Sequence, residues 1–239
     1  MRPRALAVLV PAHNEEALLP AALDAIRTAA HHPVLRRIPV VTVVAADACS
    51  DGTVAASLRA GARTVRTDGG NVGLARAAAA ERALEILGGP ARVWFASTDA
   101  DSTVPPRWLA FQYARAVEGW DAVVGTVDVG RWPQPVPGLA ARHERQYTAT
   151  RPARGPWHHP HVHGANLGVS ADAYTAVGGF PPVPVSEDHG LVDALDAAGR
   201  RVLRTADCPV TTSGRLNPRA RGGFGDHLAG LTLEDSPAC

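Results

Sequence analysis

Short apolar runs alternate with stretches of helical periodicity over the first 125 residues of the chain. Continuous apolar runs of this length are typical of strands that are buried on both faces of a parallel sheet. Pro11 is predicted to end the first of these strands. The alternation favours an α/β fold with a doubly wound, mostly parallel sheet and helices on both faces. The predicted strands cover residues 5–10, 40–46, 63–66, 93–97 and 122–125, and the predicted helices cover residues 15–30, 54–60 and 74–87.

The second half of the sequence has a different character. Residues 131–163 are rich in Pro, Arg, His and Trp, with one helix predicted near residues 139–150, and we interpret them as an insertion over the site. Regular patterns resume with a helix within residues 185–199 and a strand over residues 201–205. The stretch of residues 213–225 is rich in Arg and Gly, which predicts a mobile tail.

Composition and charge exclude several classes of function. The chain of 239 residues has a net charge of +1, which gives no electrostatic reason to expect nucleic acid or an anionic membrane as a partner. All 24 basic residues are Arg, so a P-loop lysine and Schiff-base chemistry are excluded. Three widely spaced Cys residues favour reduced thiols in a cytoplasmic protein. No apolar run approaches the ~20 residues of a transmembrane helix, so we expect a soluble protein.

Two carboxylates follow the fourth predicted strand at a spacing of two residues. Asp99 and Asp101 lie in the sequence TDAD, directly after the apolar run at residues 93–97. Ligands of doubly wound sheets bind beyond the carboxyl ends of the strands, and carboxylates at this spacing can converge on one cation. Mg²⁺ or Mn²⁺ held there would neutralise the charge on a departing diphosphate. The alternative is a polar turn in which Asp101 or Ser102 caps a helix.

Several motifs, in order along residues 6–202, resemble the family 2 glycosyltransferases, whose catalytic domain has the GT-A fold. The first half carries VLVPAHNEE at residues 8–16, VVAADACSDGT at 43–53, GNVGLARAA at 70–78 and TDAD at 98–101. The second half carries GANLGVS at residues 164–170, GGF at 178–180 and a Glu-Asp pair at 187–188. The resemblance implies one GT-A domain over residues 1–239, with a nucleotide-binding half (1–125), an acceptor half (126–210) and a mobile C-terminal tail (211–239).

The resemblance also implies an activity. The protein would transfer a sugar from a nucleotide diphosphate sugar of the UDP or GDP type to a hydroxyl of an unknown acceptor, with inversion at the anomeric carbon. Asp99 and Asp101 would bind the divalent metal, Mn²⁺ or Mg²⁺. The residues implied to bind the donor or its nucleotide are Pro11, Asn14, Glu15, Asp47, Asn71, Gly73, Arg76 and Asp99.

Other interpretations stay open for several of these residues. Asn14 and Glu15 could instead form the start of a helix, and Asp47 could form an Asx-turn. Arg76, one turn into a predicted helix, could equally be a solvated surface charge. Asp51 is predicted to cap the helix that follows it rather than to contact a ligand.

On the acceptor side, Asp188 is the candidate general base. A carboxylate at the start of a helix could take the proton of an acceptor hydroxyl as that oxygen attacks the sugar. Glu187 could orient the acceptor or cap the helix, and helix-start chemistry is the alternative for both acids. His163 is expected to face the donor phosphate or the acceptor, and Asn166 belongs to the acceptor-side motif.

Further cation-binding features lie in the second half of the chain. Four His residues between positions 158 and 163 could suit zinc, but the neighbouring Pro residues and the lack of an HExxH motif argue against it. Some GT-A enzymes carry a metal-binding His near the C-terminal end. The matching stretch here, TTSGR at residues 211–215, has none, so the metal site is either incomplete or completed by His227. Arg215, Arg219 and Arg221 could close over a diphosphate or belong to a disordered tail.

Two other functions compete with glycosyl transfer. A nucleotidyltransferase of similar fold would need a Gly-rich opening loop with a basic residue over a triphosphate, and the sequence PAHNE at residues 11–15 lacks both. The second is a catalytically inactive module that binds sugar nucleotides. Intact acidic pairs at residues 99/101 and 187/188 argue against it.

Overall fold

In the computed structural model, which describes residues 2–130, 132, 138–216 and 224–233, seven strands form one sheet with helices on both faces. The strands are β1 (Ala5–Ala12), β2 (Val40–Asp47), β3 (Arg63–Thr67), β4 (Val93–Ser97), β5 (Ala122–Val129), β6 (Leu167–Ser170) and β7 (Val202–Thr212). The helices are α1 (Leu19–Ala30), α2 (Thr53–Arg59), α3 (Val72–Leu87), α4 (Trp108–Val117), α5 (Leu139–Tyr147), α6 (Ala171–Ala176), α7 (Glu187–Ala197) and α8 (Phe224–Leu233). Short 3-10 turns cover Pro33–Leu35 and Gly164–Asn166.

The order of the described strands in the sheet is β3-β2-β1-β4-β6-β5-β7, and β6 runs antiparallel to both of its neighbours. The chain moves outward from β1 through β2 to β3 and then returns to the other side of β1 with β4. This reversal opens a crevice at the carboxyl ends of β1 and β4. Open α/β sheets bind their ligands at such a point.

Both faces of the sheet are buried because the strands carry apolar residues at successive positions. In β1, Leu6 and Val8 belong to the apolar cluster that includes residues of α1 and α4. Ala7 and Leu9 belong to the opposite cluster, which includes residues of α3 and α7. Strands covered on both faces are characteristic of parallel pairing. The α/β fold with a mostly parallel, doubly wound sheet is therefore confirmed.

The prediction that Pro11 ends the first strand is wrong. Beyond Leu9, β1 no longer pairs with β4 and pairs with β2 alone, as far as Ala12. A residue without an N–H group is tolerated where a strand has a free edge. The strand therefore passes through Pro11 and carries the chain further toward the crevice.

Several other element boundaries also differ from the prediction. β5 and β7 run on to Val129 and Thr212, because they pair with each other beyond an irregularity between Gly125 and Val127. Helices α4 and α6 were not predicted from the sequence. Helix α6 has only six residues, too few for a periodic pattern. None of the helices among the described residues combines the length and apolarity needed to cross a bilayer.

Candidate functional site

A cavity of about 890 Å³ opens at the carboxyl ends of β1, β2 and β4. The turns after these strands, the start of α3, residues 161–165 and the start of α7 form its wall. The cavity thus lies at the crevice created by the reversal of strand order. Of the thirteen candidate site residues, ten line it: Pro11, Glu15, Asp47, Asn71, Arg76, Asp99, Asp101, His163, Glu187 and Asp188.

Negative charge dominates the described wall of the cavity. The acidic residues are Glu15, Asp47, Asp99, Asp101, Glu187 and Asp188, and the opposing guanidinium groups are those of Arg76 and Arg215. Six carboxylates therefore face two guanidinium groups. A ligand that is itself anionic would need additional positive charge to enter, because like charges repel strongly where water is partly excluded.

Arg76 connects the turn after β4 with the start of α7. Its guanidinium group donates to Glu187 Oε1 at 2.8 Å, to Asp99 Oδ1 at 2.6 Å and to the carbonyl oxygen of Gly164 at 3.2 Å. It also donates to the hydroxyl of Ser97. The residue is only 3% exposed, so the alternative of a solvated surface charge is wrong.

Burial by itself lowers the pKa of the Arg76 guanidinium, but the carboxylates of Asp99 and Glu187 outweigh this effect and raise its pKa overall. For the Glu187 carboxyl, burial outweighs the attraction between the two charges. Burial raises the pKa of the Glu187 carboxyl more than the attraction to Arg76 lowers it. Both side chains are buried, so loss of Arg76 would leave the Glu187 carboxylate without its counter-charge.

Asp188 lies in the first turn of α7 with its carboxylate held at both oxygens. Oδ2 accepts a hydrogen bond from Gly164 N–H at 2.7 Å, and Oδ1 accepts one from His189 N–H at 2.8 Å. The carboxylate lines the cavity and is half-buried. These contacts fix its orientation beside residues 161–165, the part of the wall that His163 belongs to.

Arg215 reaches the cavity from the segment that follows β7. Its guanidinium group donates to Asp101 Oδ2 at 2.6 Å and to both carboxylate oxygens of Glu15, at 3.3 Å to Oε2. Burial and the nearby carboxylate of Asp99 raise the pKa of Asp101 to about 6, although Arg215 opposes the shift. Arg215 therefore has an ordered position in the cavity wall, and its closure over a diphosphate stays a prediction.

Asp47, at the end of β2, is 5% exposed and holds the loop that follows β3. Oδ1 accepts hydrogen bonds from the Thr67 hydroxyl at 2.8 Å and from the N–H groups of Gly69 and Gly70 at 3.0 and 3.3 Å. Oδ2 accepts one from Asn71 N–H at 2.7 Å. This loop leads directly into α3, so Asp47 sets the position at which α3 begins at the cavity.

Asn14 does not line the cavity. Its Oδ1 accepts hydrogen bonds from Ser50 N–H at 2.8 Å and Asp51 N–H at 3.3 Å, which ties the turn after β1 to the turn after β2. The backbone of Asn14 has a φ of 53°, a left-handed conformation that Asn adopts more readily than most residues. Asp51 accepts from Thr53 N–H at the start of α2, in keeping with its predicted role at that helix.

Asn166 also lies outside the cavity wall, 3% exposed. Its amide donates to the carbonyl oxygens of Thr126 and Cys208, at 2.8 and 2.9 Å, and accepts from Trp108 Nε1 at 2.9 Å. All of these partners belong to the protein itself. The side chain therefore joins β5, β7 and α4 rather than facing the space in which an acceptor would bind.

Gly73, at the start of α3, approaches another part of the backbone rather than the cavity. A Cβ atom at this position would lie 2.2 Å from Pro181 O and 2.8 Å from Val183 O. Asn71 reinforces this contact, because its Oδ1 caps α3 at Leu74 N–H and its Nδ2 donates to the carbonyl oxygen at position 182. Glycine is needed here for close packing of α3 against the loop before α7.

Gly73→Ala is expected to lower the free energy of unfolding by about 1–3 kcal/mol, since backbone carbonyl groups must move to admit the methyl group. Urea unfolding followed by circular dichroism would measure the change. Gly230→Ala is the matched control, because Gly230 lies in α8 with no atom within 4 Å of its added Cβ. That control should be neutral or stabilising by up to about 1 kcal/mol. Equal stability of Gly73→Ala and the unaltered protein would contradict the packing argument.

Sequence reasoning missed Tyr147, which organises the part of the cavity wall around His163. Its hydroxyl oxygen accepts from Val127 N–H at 3.1 Å and lies 3.0 Å from His163 Nε2. The Tyr147 proton is thus free to point at His163 Nε2, an arrangement that fits a neutral imidazole protonated on Nδ1. Burial and neighbouring imidazoles lower the pKa of His163 to about 3. A sequence signal for Tyr147 does exist. Leu139, His143 and Tyr147 follow one another at intervals of four residues, which places them on one face of α5, and all three are buried.

The described residues do not support a zinc site. No group of three or more His, Cys, Asp or Glu side chains in this part of the chain could hold a metal ion by itself. His159 and His161 stack on each other and form hydrogen bonds to backbone carbonyl groups. The side chain of His227, and residues Arg219 and Arg221, lie outside the described residues.

Solved structures of glycosyltransferases resemble this chain over nearly its whole length. Glucosyl-3-phosphoglycerate synthase from Mycobacterium tuberculosis, with Mn²⁺, UDP and glucosyl-3-phosphoglycerate, is 20% identical, with 96% of this chain and 76% of that chain covered and a TM-score of 0.57. S. aureus TarS 1-349 with UDP-GlcNAc is 14% identical, with 98% of this chain and 68% of that chain covered and a TM-score of 0.64. The mannosyltransferase PcManGT from Pyrobaculum calidifontis, with GDP-Man and Mn²⁺, is 21% identical, with 100% of this chain and 66% of that chain covered and a TM-score of 0.61. At such low identity the likeness shows the fold, which is GT-A.

The family follows from the sequence itself. A family model described as glycosyl transferase family 2 matches residues 7–178, well over half of the chain. This chain belongs to glycosyl transferase family 2 and is a glycosyltransferase. The resemblance noted from the sequence motifs is thereby confirmed. No curated protein matches the chain.

Proposed function

We propose that this glycosyltransferase transfers a sugar from a nucleoside diphosphate donor of the UDP or GDP type to an acceptor hydroxyl, assisted by a divalent cation. The observation that carries the proposal is the excess of carboxylates in the cavity, with Asp99 and Asp101 at the end of β4. A diphosphate is anionic and would be repelled from this wall unless a cation accompanied it. Structural relatives solved with UDP-GlcNAc or GDP-Man support the class of donor.

Asp99 and Asp101 would hold Mn²⁺ or Mg²⁺. Asp99 Oδ1 accepts from Arg76, but no described residue bonds to Oδ2, and the side chain is 36% exposed at the cavity. Mg²⁺ and similar ions need few carboxylates, because phosphate oxygens and water complete their coordination. Two carboxylates without a complete protein cage fit this requirement. When bound, the cation would supply positive charge to the leaving diphosphate.

Asp188 would act as the general base. Its two oxygens each accept one backbone hydrogen bond, which orients the carboxylate and leaves each oxygen a further lone pair for a proton. The carboxylate would take the proton of the acceptor hydroxyl as that oxygen bonds to the anomeric carbon. The bond from this carbon to the diphosphate oxygen breaks at the same time, and attack from the opposite side inverts the configuration.

The remaining residues divide between donor and acceptor. Asp47 and Asn71 would shape the nucleotide side through the loop before α3. On the acceptor side, the neutral His163 would offer its Nδ1–H to an oxygen of the acceptor. Glu187, buried against Arg76, would act as a positioning residue rather than touch the substrate. The assignment of residues 1–125 to the donor and 126–210 to the acceptor belongs to this proposal.

Thermal stabilisation by nucleotides tests the proposal without knowledge of the acceptor. UDP or GDP with Mn²⁺ is expected to raise the unfolding temperature, since a ligand at 100 times its Kd stabilises the native state by about 2.7 kcal/mol. Without Mn²⁺ the rise should be much smaller. Asp101→Ala should abolish the Mn²⁺-dependent part. Asp24→Ala, which removes an exposed carboxylate of α1, is the control and should keep it.

Two outcomes would contradict the proposal. If neither UDP nor GDP stabilised the protein with Mn²⁺ present, the donor class would be wrong. If nucleoside triphosphates stabilised it more than the diphosphates, nucleotidyl transfer would be favoured instead. If UDP or GDP does stabilise the protein with Mn²⁺, slow hydrolysis of UDP- and GDP-sugars, measured as nucleotide release, would identify the donor sugar.

A further inference from the structure

The two arginines of the cavity are held in different ways. Arg76 is almost fully buried and donates to four separate groups, which lie on β4, α7 and the connecting segments. Arg215 has a side chain that is 23% exposed, and its partners are the carboxylates of Glu15 and Asp101. One guanidinium group is therefore a fixed part of the wall. The other makes contacts that an entering ion or phosphate could replace.

Glu15 and Asp101 are themselves unequal partners of Arg215. The Glu15 side chain is 6% exposed and receives both ends of the guanidinium fork. Asp101 accepts a single hydrogen bond from Arg215, through Oδ2, and borders the cavity beside Asp99. Moving Arg215 away from Glu15 would break both hydrogen bonds of the fork at a buried carboxylate, which is costly. Giving up Asp101 costs less, provided that another cation takes the place of Arg215 there.

We propose that Arg215 holds the place of the divalent cation at Asp101 in the ligand-free protein, and that it exchanges Asp101 for a phosphate oxygen of the donor when metal and nucleotide enter together. Glu15 anchors the guanidinium group throughout. The proposal rests on the proposed function, because it assumes a metal at Asp99 and Asp101 and a diphosphate beside it. Arg215 thereby becomes a donor-binding residue.

The exchange has a thermodynamic consequence for the order of binding. A divalent ion alone must displace a guanidinium group from Asp101 without offering it a new partner, so the free ion binds weakly. A metal–nucleotide complex supplies phosphate oxygens, which guanidinium groups bind in strong, charge-assisted hydrogen bonds. Metal and nucleotide therefore bind cooperatively, and each raises the affinity for the other by the same factor.

Titrations of the free protein with Mn²⁺, and of the Mn²⁺-containing protein with UDP and with GDP, test the exchange. Arg215→Gln is expected to bind Mn²⁺ alone about tenfold more tightly than the unaltered protein, because the competing cation is gone. The same variant should bind the diphosphate with Mn²⁺ about tenfold more weakly, because a charge-assisted hydrogen bond is lost. Electron paramagnetic resonance would measure free Mn²⁺, and calorimetry would measure nucleotide binding.

Two further variants complete the experiment. Arg82→Gln removes an exposed charge from the surface of α3 and should change neither affinity. Arg215→Lys keeps the positive charge but cannot span Glu15 and Asp101 with a fork. Its affinity for free Mn²⁺ should therefore lie between that of the unaltered protein and that of Arg215→Gln. Arg215→Lys retains a cation beside buried Glu15, so the Mn²⁺ titration can be made on this variant even if Arg215→Gln does not fold.

The outcomes separate this proposal from the proposed function. If the unaltered protein binds Mn²⁺ with UDP or GDP, but neither Arg215 variant binds free Mn²⁺ more tightly, the exchange is wrong and the proposed function stands. Diphosphate binding that needs Arg215 but no metal would also overturn the exchange. If the unaltered protein binds neither diphosphate with Mn²⁺, both proposals fail together.

Discussion

Turnover of Asp188→Asn is expected to fall by ~10²-fold or more, the usual effect of losing a general base, while donor affinity stays within about twofold. The substitution keeps the size of the side chain and leaves one oxygen that can still accept from Gly164 or His189. It removes the group that would take the proton from the acceptor hydroxyl. Donor turnover measured as nucleotide release, together with nucleotide affinity measured by calorimetry, would separate the two effects.

A control for this prediction comes from a second acid at the start of a helix. Asp172 is exposed in the first turn of α6, so Asp172→Asn removes the same charge from the same kind of position without touching the cavity. Its turnover should match that of the unaltered protein. Unchanged turnover in Asp188→Asn would remove Asp188 from the role of base and leave helix-start chemistry as its function.

The second large effect is expected at Arg76. Arg76→Met should lower the free energy of unfolding by about 3–5 kcal/mol, because it leaves one partner of a buried ion pair without its counter-charge. Glu187, 4% exposed, is that partner, and Asp99 would lose the hydrogen bond that orients it. Denaturant unfolding would measure the stability change. Arg76→Met combined with Glu187→Leu should recover part of the loss, because no unpaired charge then remains buried between α3 and α7.

Arg82, six residues further along α3, provides the comparison. It forms an ion pair with Glu85 in which the two side chains are 47% and 56% exposed. Solvent screens such a pair, so Arg82→Met should cost no more than about 0.5 kcal/mol. A change of less than about 1 kcal/mol for Arg76→Met would show that Arg76 does not hold the cavity wall together.

The sequence was most informative where the relevant pattern is local. Strands β1, β2 and β4 are made mostly of apolar residues at successive positions, as burial on both faces of a parallel sheet requires. The position of Asp99 and Asp101 followed from the same reasoning, since side chains just beyond a central parallel strand reach the crevice of a doubly wound sheet. Their proximity to Asp188 and His163 was expected through the family resemblance, and these residues do line one cavity.

Local patterns gave little guidance on residues whose partners lie far away in the chain. Arg76 and Glu187 are 111 positions apart, and Glu15 and Arg215 are 200 positions apart. An Arg in an Ala-rich helix looks the same in sequence whether it faces water or a buried carboxylate. For the same reason the sequence could not distinguish Gly73, which admits a neighbouring carbonyl group, from a glycine that admits a ligand.

The sequence by itself thus determined the class of fold, the edge of the sheet where ligands would bind and the presence of an acidic pair there. These properties depend on periodicity and on the order of elements along the chain. Only the tertiary structure decided which carboxylates are paired with arginine, which asparagines face protein rather than cavity, and how Tyr147 directs His163. The physical reason is that hydrogen bonding and burial depend on which distant segments come together, and no local pattern records that choice.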